Sequence, residues 1–212
     1  MRNLLSELTE YTGRSEELVR ARCITASTEI AWQFASYLDR PLEMYRESDL
    51  YIFALTNYQT RLQETGVHDW LRESIKKYGW KTMLDFGGGI GEYSIIGCEE
   101  GMEVVYLEVC GSKTAAYALH RFYKNGIEQP ELWSEENEID RDFDVVVAMD
   151  VFEHLENPQE VIEQIAKHTK YLICNPTEVK YNWLYPEHIS EFYIESYFEH
   201  KDLYLYERKK NA

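Results

Sequence analysis

The sequence offers no paired cysteines. Its four, Cys23, Cys98, Cys110 and Cys174, lie far apart, with no C-x-x-C and no Cys/His cluster. Neither a zinc site nor a disulfide framework is expected from that spacing. The simplest reading is small buried hydrophobes in a reducing compartment. No apolar run approaches the roughly 18–20 residues that span a bilayer, so no membrane partner is expected. The opening residues Met1 to Glu7 turn polar too soon for a signal peptide, which points to a cytoplasmic location. Cations are scarce where acids crowd: residues 128–163 carry 13 Asp/Glu and one Arg, within a net charge of -16. Such a surface repels a phosphate backbone and argues against nucleic acid as a partner. There is no internal repeat and no low-complexity tract.

What is present is ordinary globular composition: 212 residues, 44% hydrophobic and 28% charged, enough for one α/β domain with a helical extension. The first eighty residues show no strand-like alternation. Apolar residues recur at Val19, Cys23, Ala26, Ile30, Phe34 and Tyr37, a helical spacing. Ser15 is placed to cap that helix, and Asp39-Arg40-Pro41 ends it. A second helix is expected from near Asp49 to Gly66 and a third from about His68 to Gly79. Three or four helices therefore precede the first strand, with a division between residues 1–79 and 80–212. Tyr45, Tyr51 and Tyr58 either line a pocket or pack as core; aromatic residues at helical spacing favour core.

From Trp80 the pattern changes to strand, helix, strand. Strands are expected at Lys81–Phe86, Glu103–Val109, Glu131–Trp133, Phe143–Met149 and Tyr171–Cys174, with helices between them near 93–98, 112–123 and 158–168. This alternation implies a parallel sheet with helices on both faces and ligands at the C-terminal strand ends. After Cys174 the chain suggests one helix near Glu187–Tyr197 and one strand near Leu203–Tyr206. A mostly parallel sheet of about six strands follows, shortened at its C-terminus and with its edge covered by the N-terminal helices or by a second subunit in a homodimer.

The turn after the first strand carries the strongest chemistry. Asp85-Phe86-Gly87-Gly88-Gly89-Ile90-Gly91 brings backbone close to whatever it holds. A dinucleotide fingerprint G-x-G-x-x-G starting at Gly87 would need glycine where Glu92 stands; starting at Gly88, it would need glycine where Ile90 stands. The pattern present, Asp85-x-Gly87-x-Gly89-x-Gly91, resembles the first motif of class I S-adenosylmethionine (SAM) methyltransferases. Two further features fit. Glu108 ends the second strand, as the ribose-binding acid does in these enzymes, although a surface Glu at a strand end and the acid of a NAD enzyme share that place. The segment from Phe143 to Leu155, with Asp150-Val151-Phe152-Glu153-His154-Leu155, then Asn157-Pro158, is similar to the methyltransferases of ubiquinone and menaquinone biosynthesis.

The resemblance covers roughly residues 80–176 and implies a Rossmann-like, doubly wound α/β fold with SAM as cofactor. It places Asp85 near the methionine end, Gly87, Gly89 and Gly91 beside the adenosine, Glu108 at the ribose, and Asp150 and Val151 close to the cofactor. Glu153 and His154 either order the following loop or, for His154, cap a helix and pack. Where the family often has Asp-Ala after the third strand, this chain reads Ser134-Glu135, so either residue is a candidate adenine contact. The aromatic loop Tyr181–Tyr185 is followed by His188, a candidate general base, with helix-start packing the alternative. Asp150 and Asn175 alone are too few oxygen ligands for a metal, so none is expected. The function implied is SAM-dependent methylation of a small-molecule acceptor, with oxygen favoured. Methylation of a protein or peptide, a non-catalytic SAM-binding scaffold and a nucleotide-dependent oxidoreductase remain alternatives.

Overall fold

Period-two alternation in the strands sets the layers. The structure is a computed structural model that describes residues 2–37, 40–128, 130–175 and 191–210. Strands β1 (Thr82–Phe86), β2 (Glu103–Leu107), β3 (Glu131–Trp133), β4 (Phe143–Ala148), β5 (Thr169–Cys174), β6 (Phe198–Asp202) and β7 (Leu205–Arg208) form one sheet in the order β3-β2-β1-β4-β5-β7-β6. The first five run parallel; β7 is antiparallel to both β5 and β6. Met83, Val145, Val147, Ile173 and Leu205 point to one face, and Leu84, Val146, Ala148, Leu172, Cys174 and Tyr206 to the other. Each such side chain contributes about 1.5–3 kcal/mol on burial, so a one-residue slip in any central strand would expose a whole set.

Helices α6 (Glu92–Glu99), α7 (Lys113–Lys124) and α8 (Pro158–His168) connect the parallel strands. Ser112 caps α7 by accepting from the Ala115 N–H at 2.9 Å. Helix α8 instead opens with Pro158, whose missing N–H costs nothing in a first turn. Ile162, Ile165 and Ala166 of α8 seal one face of the sheet.

Among the described residues, five helices precede the sheet: α1 (Leu4–Thr12), α2 (Glu16–Phe34), α3 (Pro41–Glu47), α4 (Leu50–Glu64) and α5 (Val67–Tyr78). The sequence reading had three or four. It missed α1, and it took Pro41 as a helix stop when that residue also starts the next helix. Leu71 and Ile75 of α5 share a core cluster with Met83 and Val145, so α5 covers the sheet beside α6. Helices α2 and α4 pack together with α1, and α1 and α4 reach α7.

Arg121 of α7 joins these layers. Fully buried, it donates from Nε to Glu7 of α1 at 2.7 Å, from Nη1 to the Ile90 carbonyl at 2.6 Å and from Nη2 to Glu92 at 2.5 Å. Burial opposes the charge of Glu92, yet Arg121 and Arg2 together hold its carboxyl below the usual range. One guanidinium therefore ties the N-terminal helix, the start of α6 and the glycine turn to a single point.

The C-terminus corrects the expectation of six strands. Two strands, not one, fit after residue 197, because a two-residue turn at Leu203-Tyr204 folds Phe198–Asp202 back on Leu205–Arg208. The expected helix near Glu187–Tyr197 lies partly outside the described residues. Within them, only the 3-10 turn Ile194–Ser196 forms. Strand β6 buries Phe198 and exposes Glu199 through Asp202, and charge of this kind blunts an edge against further pairing.

Candidate functional site

The site is assembled where β1, β2, β4 and β5 end. Gly88 donates its N–H to the Leu107 carbonyl at 2.9 Å, which bends the chain sharply out of β1 toward β2. Side chains would crowd this turn. At Gly87 (φ +65°) an added Cβ would sit 2.7 Å from Val151 Cγ2; at Gly89 (φ +55°) it would meet Leu55 of α4 at 3.0 Å. Gly91 forms the N-cap of α6, and its carbonyl accepts from the Ile95 N–H at 3.0 Å.

Two carboxylates flank the turn. Asp85, buried at the end of β1, accepts at Oδ2 from the Ser94 N–H (2.9 Å) and the Ser94 hydroxyl (2.6 Å). Burial pushes its carboxyl up to about 7, against the pull of those two bonds. Glu108, just past β2, accepts at Oε2 from the Gly89 N–H (2.7 Å) and at Oε1 from the Val109 N–H (2.9 Å). Burial raises its carboxyl as well, again opposed by the two backbone bonds. Each oxygen of a carboxylate accepts up to two hydrogen bonds. Glu108 is therefore aimed by backbone and keeps capacity for a pair of hydroxyl groups. The Tyr106 hydroxyl donates to the Gly89 carbonyl at 2.7 Å and fixes the other end of the same residue.

Across the turn stand Asp150 and Glu153. Asp150 adopts φ +63°, a left-handed conformation uncommon outside glycine. Glu153, in the 3-10 turn Phe152–His154, is 1% exposed, and its Oε1 is buried with no hydrogen-bond partner among the described residues. Its carboxyl is pushed up to about 8, by burial first and then by the Asp150 charge. Tyr58 of α4 reaches over from the helical side and accepts from Asn175 Nδ2 at 3.1 Å. Burial, followed by the Asp150 charge, raises the Tyr58 phenol.

The structure brings Asp85, Gly87, Gly89, Gly91, Glu108, Asp150 and Val151 to one end of the sheet. His188 and the loop Tyr181–Tyr185 lie outside the described residues. Glu135, a candidate adenine contact, instead accepts from the Cys110 N–H at 2.7 Å and pairs with Arg46 of α3. Ser134 faces Asn137, 3.2 Å away. His154 packs its ring edge-on to Tyr45, which stacks on Tyr51. Among the described residues, no three His, Cys, Asp or Glu side chains gather as metal ligands would. No helix among them is long and apolar enough to cross a membrane. A cavity of about 310 Å³ lined by Arg2, His68, Arg72, Glu92 and Glu99 lies away from the strand ends, its charges paired with one another.

Sequence reasoning missed Arg121, which grips the Ile90 carbonyl, and Leu55, which lies on Gly89. Nothing local marks either, because their partners are remote in the chain. Tyr58 was singled out as a possible pocket residue and weighed as core; it is a half-buried hydrogen-bonding residue at the strand ends.

Residues 55–199 match the family described as "Methyltransferase domain", more than half of the chain. The chain belongs to that family. SAM is the cofactor that goes with this membership and fold. Among solved structures, similarity extends to a SAM-dependent methyltransferase from Clostridium acetobutylicum, at 17% identity and TM-score 0.45, covering 50% of this chain and 48% of that one. It extends also to the N-terminal domain of EvdMO1 with SAH bound, at 18% identity and TM-score 0.45, with 50% and 48% covered. TehB from Haemophilus influenzae matches at 18% identity and TM-score 0.44, with 56% and 43% covered. The chain spans about half the length of these structures. No curated protein matches it in sequence. The family assignment rests on the domain match.

The residues present suit SAM. The turn is bare of side chains where a Cβ at Gly87 would strike Val151. Glu108 offers paired acceptors, and Asp85 Oδ1 carries no hydrogen bond among the described residues.

Proposed function

We propose that this chain is a SAM-dependent methyltransferase acting on a small-molecule acceptor, with oxygen as the atom methylated. The observation that carries this reading is the pair of carboxylates on either side of the glycine turn, each fixed by amides of the fold. Glu108 would take the ribose hydroxyls, Asp85 the α-ammonium of the methionine end, and Gly87, Gly89 and Gly91 would let the adenosine lie against backbone. Asp150 and Val151 would face the methyl side. When bound, SAM supplies an electrophilic methyl group on a positively charged sulfur. The protein then has to hold the acceptor in line at roughly 3 Å and keep water out.

Helices α1 to α4, within residues 1–79, would serve as a cap, since Leu55 and Tyr58 descend from α4 onto the turn and the strand ends. The four free cysteines and the acidic charge suit a reducing cytoplasmic setting. A homodimer is part of the same reading, checked by sedimentation. The general-base role of His188 rests on sequence alone. It would show as lowered turnover with unchanged SAM affinity in His188→Ala.

Calorimetric titration tests the cofactor reading directly. SAM and S-adenosylhomocysteine (SAH) are expected to bind and NADH is not. Gly89→Arg, which must seat a long side chain against Leu55, should abolish measurable SAM binding, and Asp85→Ala should weaken it severely. Unchanged titrations in both variants would sink the assignment.

A further inference from the structure

The glycine turn is held from two directions. From the sheet side, Gly88 donates its N–H to the Leu107 carbonyl, while Gly89 donates to Glu108 and its carbonyl accepts from Tyr106. From the helical layer, the grip falls on Ile90, the one residue from Gly87 to Gly91 that carries a side chain. That side chain is buried in a core cluster with Leu8 of α1, Val19 and Cys23 of α2, and Ile52 and Phe53 of α4. The peptide that leaves Ile90 is fixed at both ends. Its carbonyl accepts from Arg121 Nη1 at 2.6 Å, and its N–H, that of Gly91, donates to the Gly88 carbonyl at 2.8 Å. Arg121 is aimed in turn by Glu7 of α1, whose other oxygen accepts from Asn125 Nδ2 at 3.1 Å. Both Glu7 and Arg121 are buried, so no solvent stands ready to replace either partner. A second pair between the same two helices, Lys124 with Glu10, lies at the surface. None of the residues gathered at the strand ends belongs to α1.

We infer that α1 controls the affinity of the cofactor turn: Ile90 and Arg121 are positioning residues, and docking of α1 through Glu7 and Leu8 sets the turn in the shape that SAM and SAH bind. This deepens the methyltransferase reading and rests on it. The physical argument is linkage. With four glycines in the five positions from Gly87 to Gly91, the turn has many backbone conformations to lose. A ligand that fits one of them binds more weakly in proportion to the time the turn spends in the others. Contacts from β2 and Glu108 fix the Gly88–Gly89 end, and contacts from α7 and α1 fix the Ile90–Gly91 end. When α1 lifts, Leu8 leaves the Ile90 side chain and Glu7 leaves Arg121, and that end of the turn regains its freedom. The coupling is reciprocal, so a ligand on the turn holds α1 down by the same factor. The first helix is then part of the cofactor site without touching the cofactor, and it offers a point from which binding is regulated at a distance.

Hydrogen exchange on the whole chain, with and without saturating SAH, reads the linkage directly. Local opening of one helix takes less free energy than global unfolding, so the two are separable. SAH should slow exchange in residues 4–12 by about fivefold or more. The slowing should be clearly smaller in residues 162–168, the second half of α8, which packs in a different core cluster. Equal slowing in the two helices is what stabilisation of the whole fold gives, and it would overturn the inference. Calorimetric affinities supply the second arm. Glu7→Ala should weaken SAH by about fivefold or more, and Glu7→Gln, which still accepts from Arg121 Nε, should restore most of the loss. Glu10→Ala, which removes only the surface pair of the same helix, should change affinity by less than about twofold. Phe198→Leu, a core change in β6, serves as the stability control. Unchanged affinity in Glu7→Ala, or an equal loss in Phe198→Leu, would overturn the inference. In each of these outcomes the wild-type protein still binds SAH and the cofactor reading stands; if SAH does not bind at all, both fall. The wild-type exchange comparison decides the matter even where Glu7→Ala does not fold.

Discussion

The two sides of the strand ends treat their carboxylates in opposite ways. On the β1–β2 side, Asp85 accepts two hydrogen bonds from Ser94, and Glu108 accepts one backbone N–H at each oxygen. On the β4 side, Asp150 sits in a left-handed conformation and Glu153 buries an oxygen that has no hydrogen-bond partner among the described residues. The first side is fixed before any ligand arrives, as a binding surface should be. The second retains unmet demand, and strain of that kind gathers where charge changes during function.

Rigidity on the β1–β2 side depends on Arg121, and its removal should have the largest effect. Arg121→Ala leaves Glu7 and Glu92 buried without their shared partner and frees the Ile90 carbonyl of the glycine turn. Breaking a buried ion pair from one end costs about 3–5 kcal/mol. Chemical denaturation should show a loss of that size. A loss under about 1 kcal/mol, in the range of a surface pair, would mean that the turn is rigid for some other reason.

The pH dependence of stability separates the two sides next. Asp85 is raised from 3.8 to about 7 and Glu153 from 4.5 to about 8. Each keeps its proton in the folded chain after the unfolded chain has lost it. The stabilisation is thus fully present below the unfolded value and fades as pH rises through the folded one. At most about 1.4 kcal/mol per pH unit is lost per group in that window. Measured by urea denaturation without ligand, Asp85→Asn should flatten the decline between about pH 4 and 7, and Glu153→Gln should do so up to about pH 8. Flattening by Asp85→Asn alone would show that the β4 side holds no proton.

How much of this could be read from the residues follows from chain distance. The stretch Pro158–His168 is written in local signals, an Asx-Pro start and apolar residues on one face, and it forms the helix expected. Glu108 announced itself by ending an apolar run. The hairpin did not, because an edge strand such as Phe198–Asp202 needs only one buried side chain and shows no alternation. Arg121 looks like an outward charge on a helix until Glu7, 114 residues earlier, is folded against it. The demand stored on Glu153 was equally silent. Sequence alone reads Glu153-His154 as a motif, and only burial beside Asp150 turns the carboxyl into a proton-holding group.

Tyr58 gives the smallest effect. It comes from α4 and ties the helical cap to the end of β5 through Asn175 at 3.1 Å, on the same side as Asp150. Tyr58→Phe keeps the ring and removes one hydrogen bond whose partner is half-buried, so water can take its place. The cost should be about 0.5–1.5 kcal/mol in stability. SAM affinity should change by less than about threefold if, as proposed, binding rests on the glycine turn and its two fixed acids; 1.4 kcal/mol would already be tenfold. Turnover, measured once an acceptor is known, should fall further than affinity. If Tyr58→Phe instead weakened SAM as severely as Asp85→Ala, the cap and the β4 side would belong to the holding surface, and the contrast between the two sides would not stand.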